Sequence, residues 1–277
     1  MKKENNIIKY VLITISFLFV FTMLLLPLAS IILNSLQKGW KFYFSSITDK
    51  NVLSALKVTI IATVSAVLVN TVFGVTVAWL ITKFSFRGKN ILATLIDIPF
   101  SISPVIAGLA FIMTFGRMGW ANAIIEKINQ FFVLDIKIVF ATPGVILATI
   151  FVTFPFIARE IIPILNAQGK AEEEAAALMG ASGFTIFRKI TFPQIKWGLF
   201  YGIILCTARA LGEFGAVNAL SKARGKTFTL PLEIDALYLS GTSDAITSAF
   251  AVSSILVLVS IVILIIKNIV EHKSEKI

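Results

Sequence analysis

Along the chain, long apolar runs alternate with short polar intervals. Residues 11–37, 58–82, 138–158 and 245–266 each lack any Asp, Glu, Lys or Arg. Two further apolar stretches carry isolated charges: 91–116 holds Asp97, and 197–220 holds Arg209 and Glu213. A helix needs about 20 such residues to cross the hydrocarbon core of a bilayer. The pattern predicts an all-α, polytopic membrane protein with six spans, near 11–34, 58–82, 91–116, 138–158, 197–220 and 245–266. They would form one transmembrane domain over 11–268, between short tails at 1–10 and 269–277.

Composition agrees with that class. Of 277 residues, 57% are hydrophobic and 14% charged, against about a quarter charged in an ordinary soluble domain. No polar interval is long enough to bury a core of its own. The first run is too long for a signal-peptide core and has no persuasive cleavage site, so it reads as a retained anchor. The one cysteine, Cys206, has no partner for an internal disulfide and reads as a packing residue. The one histidine, His272, stands alone in a charged tail, so no metal site is expected.

Net charge is +10. With no folded polar domain to grip a duplex, nucleic acid is not an expected partner. Lipid headgroups and an anionic solute fit the charge, beside the simpler reading that positive loops orient the chain. Six spans put both termini on one side. If that side is cytoplasmic, the inner segments hold 14 Lys and Arg and the outer loops 10. The inner set includes Lys2, Lys3, Lys273 and Lys276. The bias is small, and the leading "MKKENNIIKY" adds weight to both termini being cytoplasmic.

The interval between the fourth and fifth spans, about 165–193, is the largest inner one. Its "AEEEAAALMGASGFTIFRKITFPQ" begins with strong helix formers, so Glu172 to Met179 should be helical, with acidic residues at the favourable end of the helix dipole. Gly180 permits a turn, and Ser182 is a candidate cap for a second short helix. Pro193 is expected to stop that helix before the fifth span.

Glu174-Ala175-Ala176, three residues, Gly180, nine residues, then Ile190-Thr191-Phe192-Pro193 resembles the EAA signature of inner-membrane permease subunits of bacterial ATP-binding-cassette importers. Phe192 departs from the usual leucine. The resemblance implies that the loop is a coupling helix facing a cytoplasmic ATPase. The coupling residues carried over are Glu174, Ala175, Ala176, Gly180, Ile190 and Pro193. "FGRMGW", "FVTFPFIARE", "ARALGEFGAV" and "TLPLEI" are similar to the sulfate, thiosulfate and molybdate branch, most like its W-type permease. That likeness runs from about residue 55 to 267. It implies a second, homologous T-type permease, an ATPase dimer, an extracytoplasmic sulfate/thiosulfate-binding protein and an inner-membrane location.

Such an importer needs ATP and Mg, and neither is expected on this chain. Gly225-Lys226-Thr227 mimics the end of a phosphate-binding loop, but position 220 is Leu where the first glycine should be. The ATPase is therefore expected as a separate subunit, and no catalytic residue is assigned here.

Two groups inside the spans remain. Arg209 and Glu213 stand four apart, so they share a helix face. They line the translocation path or the permease interface, or form a structural ion pair. In "DIPFSISPVIAGL", Pro99, Pro104 and Gly108 interrupt the third span. Ser101 and Ser103 there are candidate oxyanion ligands on the path, or parts of a plain kink. Asp97 is expected at the membrane edge rather than as a ligand. The competing functions are a molybdate or tungstate permease of the same class and an ATP-independent secondary transporter. The latter should show inverted repeats and a buried proton relay, and neither is visible.

Overall fold

A computed structural model describes residues 6–132 and 135–274, with side chains over 8–131 and 135–271. Lys2, Lys3, Lys276 and the side chains of His272 and Lys273 lie outside the described residues.

Helices joined by short loops make up the described chain. Helix α1 (Asn6–Val20) passes through a π-turn, Phe21–Leu25, into α2 (Leu26–Ser35). The π-turn directly precedes Pro27, which has no amide to give to the helical ladder. The largely apolar α1 stretch is exposed along its described length, whereas α2 lies along the last helix. Helix α3 (Gly39–Ile47) clusters Trp40, Tyr43 and Phe44, the amphipathic rings favoured at a membrane surface.

Helix α4 (Lys50–Lys83) is the central rod. Asp49 caps it, accepting from Asn51 N at 2.8 Å. Its buried face reads Val52, Ala55, Val58, Thr59, Ala62, Thr63, Ala66, Asn70, Gly74, Ala78 and Ile81. That spacing of three and four keeps one face inward, and its small residues let neighbours come close. A Cβ on Gly74 would stand 3.0 Å from Ile157 Cβ. The cap puts the helix start well before the apolar run that marked the second span. A run without charge locates hydrocarbon, not the helix end.

Helices α5 (Lys89–Ser101) and α6 (Pro104–Phe115) meet at 108°. The expected third span is thus two helices broken at Ile102–Ser103. The amphipathic α7 (Trp120–Phe132) follows on the surface. Helices α8 (Thr142–Thr153) and α9 (Pro155–Gln168) form the fourth long element. It starts at Thr142, later than the sequence pattern implied, because Gly144 closes back against the carbonyl of Ile138. It runs on past 158 because α9 buries Ile157, Ile161 and Leu165 in the main core, with Ile195, Leu199 and Cys206 of a later helix, and Ala158 against Ile81 and Ile96.

Helix α10 (Ala171–Leu178) and α11 (Gly183–Ile186) lead through a second π-turn, Phe187–Thr191, into α12 (Phe192–Leu211). Here the structure corrects the reading of Pro193. It occupies the first turn of α12, where its missing amide costs nothing, and the chain stays helical from α11 through α12. Helix α12 stops at Leu211, and after a break comes α13 (Gly215–Leu220). Then follow α14 (Leu230–Leu239) and the long α15 (Ser243–Ser274).

Among the described residues, four helical stretches are long and apolar enough to cross a membrane, and the bent α5–α6 pair makes up to five. Helix α12, the expected fifth span, falls outside that group, yet it lies at the centre of the bundle against α9, α4 and α15. Cys206 is buried there, its thiol near Asn70 Nδ2 and the Thr153 carbonyl at 3.8 Å.

The bent pair is held by close contact with α13. A Cβ on Gly108 would lie 2.6 Å from the Ala216 carbonyl oxygen and 2.8 Å from Ala219 Cβ. Gly108→Ala is therefore expected to destabilise by about 1–3 kcal/mol, the usual cost of overpacking. A lowered thermal unfolding midpoint in detergent checks it; an unchanged midpoint would mean that α6 and α13 do not pack this tightly.

Candidate functional site

The segment from α10 to α12 is built as a projecting elbow. Glycines bracket α10, Gly169 at φ +70° and Gly180 at φ +85°. Both conformations are left-handed, which glycine adopts at no steric cost. A Cβ on either would meet nothing within 4 Å, so these glycines answer to backbone geometry rather than to space inside this chain. Ser182 caps the next helix as expected, its Oγ accepting from Thr185 N at 3.4 Å.

No side chain of α10 is buried. The apolar tip beyond it is nearly bare: Leu178 is 90% exposed, Met179 88% and Phe184 73%. Large apolar side chains this exposed on a polar elbow mark a contact surface for a protein or a membrane. The three glutamates, equivalent in sequence, have different fates. Glu172 accepts from Gln194 Nε2 at 2.6 Å, and Glu173 accepts from Thr191 Oγ1 at 2.7 Å. Glu173 also pairs with Lys83 at 3.1 Å. Glu174, the glutamate of the expected motif, has no ion pair or side-chain hydrogen bond among the described residues and stays exposed. Ala175 is exposed and Ala176 half-buried; Ile190 is half-buried and Pro193 exposed. Sequence reasoning missed Lys83, Glu173, Thr191 and the tip residues. The position of Lys83, where an apolar run meets its first charge, was the available signal.

The second candidate region joins the two interruptions. Pro104 Cβ would lie 3.0 Å from a Cβ on Gly215, so the break after Ser103 packs on the break after Glu213. Ser101 and Ser103 are exposed there and make no side-chain hydrogen bond among the described residues. Arg209 Nη1 lies 2.7 Å from Glu213 Oε2. This is an ion pair by distance, though outside hydrogen-bond geometry. Glu213 lies beyond the end of α12, is buried, and its Oε1 accepts from Ala216 N at 2.9 Å, capping α13. Arg209 is about one-third exposed. The pair thus holds the α12–α13 break and also leaves a cationic group partly open.

Asp97 is engaged rather than free: its Oδ1 accepts from Arg159 Nε at 2.8 Å, and the guanidinium lies 4.6 Å from the centre of the Phe100 ring. In the 221–229 loop, Gly225 has φ +77° and its carbonyl accepts from Ser54 Oγ at 2.7 Å. Arg224 donates to the buried Glu233 at 2.6 Å, and that bond raises its pKa above the ordinary arginine value. Gly225-Lys226-Thr227 is therefore part of a pinned turn. The next helix starts only at Leu230, so no helix N-terminus receives a phosphate there.

The fold is a helical membrane bundle with a broken span and a projecting elbow between α9 and α12. A family model described as "Binding-protein-dependent transport system inner membrane component" matches residues 70–276. The chain belongs to that family, whose members are transport components rather than enzymes. It is 40% identical over 268 residues to the sulfate transport system permease protein CysW of Synechocystis sp., covering 96% of this chain and 94% of that one. CysW of Escherichia coli K12 is also 40% identical over 268 residues, with 96% and 89% covered. The sulfate transport system permease protein CysT of Salmonella typhimurium is 37% identical over 202 residues, with 73% and 71% covered. The fold matches a chain in the crystal structure of a bacterial alginate ABC transporter in complex with alginate pentasaccharide-bound periplasmic protein. The TM-score is 0.77 at 17% identity, over 99% of this chain and 96% of that one.

Proposed function

We propose that this chain is the W-type permease of a sulfate/thiosulfate importer, crossing the inner membrane six times with both termini cytoplasmic. It pairs with a homologous T-type permease. The observation that carries this is the elbow: an exposed Leu178, Met179 and Phe184 on a segment bracketed by two left-handed glycines. That surface suits a separate ATPase, which binds ATP and Mg and drives transport through contact alone. The likeness to CysW and CysT supports sulfate as the solute, delivered by an extracytoplasmic binding protein. Alternating access follows when the ATPase has different contacts with the elbow in its two states.

Ser101, Ser103, Arg209 and Glu213 are assigned to the translocation path or the permease interface, on the grounds that the two helix breaks meet and leave hydroxyls and one cation open, with the buried Glu213 holding Arg209 in place. Hydroxyls bind an oxyanion without fixing it in place, as passage requires. In a strain lacking this gene, labelled sulfate uptake should fall to background and return on complementation. Excess thiosulfate should compete, and equal molybdate should not. Strong competition by molybdate alone would move the assignment to the molybdate class. Uptake that survives ATP depletion would exclude an ATP-driven importer.

A further inference from the structure

Helix α10 has no apolar anchor: it buries no side chain, and a glycine joint flanks each end. Such a segment should rock about its joints. Two polar ties oppose that: the exposed Glu172–Gln194 bond to α12 at 2.6 Å, and a more enclosed cluster around Glu173. The Lys83 side chain, at the end of α4, is 6% exposed and that of Glu173 16%. Lys83 Nζ sits 3.1 Å from Glu173 Oε1 and donates to the Gly169 carbonyl at 2.5 Å. The buried Thr191 hydroxyl donates to the same Glu173 oxygen at 2.7 Å. One carboxylate oxygen therefore ties α10 to α4 and to the turn that enters α12, while the ammonium also holds the residue following α9. Trp79 walls the cluster, with its ring 5.2 Å from Phe84 and 5.9 Å from Phe187.

An ion pair this far withdrawn from water adds little net stability, because desolvation offsets attraction, but it fixes a register. We propose that Lys83, Glu173 and Thr191 form a positioning latch. It makes α10 move as one body with α4 and α12, so that displacement of the Leu178–Met179 tip reaches the spans. Without it, the Glu172–Gln194 bond would still tie α10 to α12, but α10 would lose its ion pair to α4, and less of the tip's displacement would reach the spans. The inference rests on the permease reading above and concerns residues outside the EAA pattern.

The test uses the full importer in proteoliposomes, with sulfate and Mg-ATP as probes. It compares Lys83→Met with Lys83→Arg, which keeps the charge. In Lys83→Met, amide exchange over residues 171–181 should quicken about tenfold, as expected when a local tie is lost. Sulfate moved per ATP hydrolysed should fall by about fivefold or more, while the ATPase still co-purifies. Lys83→Arg should keep both readouts close to wild type. Unchanged exchange in Lys83→Met overturns the latch. Quicker exchange with an unchanged sulfate-to-ATP ratio overturns its role in transmission. Loss of assembly in both variants marks a folding role and overturns it too. If the wild-type complex shows no ATP-driven sulfate uptake, the permease reading falls, and the exchange arm still decides whether the latch exists.

Discussion

Gly180→Leu is expected to abolish ATP-driven uptake while leaving the amount of inserted permease nearly unchanged. Two effects add, and a second variant separates them. At φ +85° any Cβ is disfavoured by about 1–2 kcal/mol. Gly180→Ala suffers that term alone, because nothing within 4 Å meets the new methyl. A penalty of this size lowers the population of the correct turn roughly 5- to 30-fold, and uptake should fall in proportion. Leucine adds bulk beside the exposed Met179, on the face that must fit a partner. Loss of docking should then exceed the loss in the alanine variant by about tenfold, since 1.4 kcal/mol at an interface has that effect. The measurement is sulfate uptake in proteoliposomes, normalised to inserted permease. Equal uptake in the leucine variant and wild type would remove the elbow from energy coupling.

The asymmetry between chain and partner explains what could be read from sequence here. Alanines and a glycine located the elbow, because each is a backbone statement: helix formers and a permitted turn. The three glutamates could not be told apart in the same way. Which one meets Lys83 depends on how α10 lies against the end of α4, and that is settled by the chain as a whole. Pro193 shows a related limit. The same residue suits a helix stop and a helix start, and only the π-turn leading into α12 decides between them. Apolar runs located the long elements but not their ends. The start of α4 is set by the Asp49 cap and that of α8 by the closure of Gly144 on Ile138. The bend at Ile102–Ser103 was foreshadowed by Pro99 and Pro104. Its partner was not, because the Gly108–Ala216 contact joins segments far apart in the chain.

The Arg209–Glu213 pair yields the second large effect, and its sign follows from unequal burial. Glu213 is buried and Arg209 is about one-third exposed. Arg209→Met therefore strands a carboxylate with one backbone donor, Ala216 N–H. Removing one partner of a buried pair costs about 3–5 kcal/mol. Glu213→Gln leaves an arginine that can turn toward solvent, and the amide oxygen can still cap α13. Its cost should be nearer 1 kcal/mol, that of an ordinary hydrogen bond. The double variant Arg209→Met/Glu213→Gln has no charge to strand, so it should be more stable than Arg209→Met alone. Such non-additivity is the signature of direct coupling. Thermal unfolding of the purified complex in detergent gives the three stabilities. Additive losses would mean that the two side chains do not act as a pair. Uptake supplies an independent arm. If Arg209 also serves the anion, the double variant should regain stability and still transport sulfate poorly. If the pair only fixes the α12–α13 break, stability and transport should recover together.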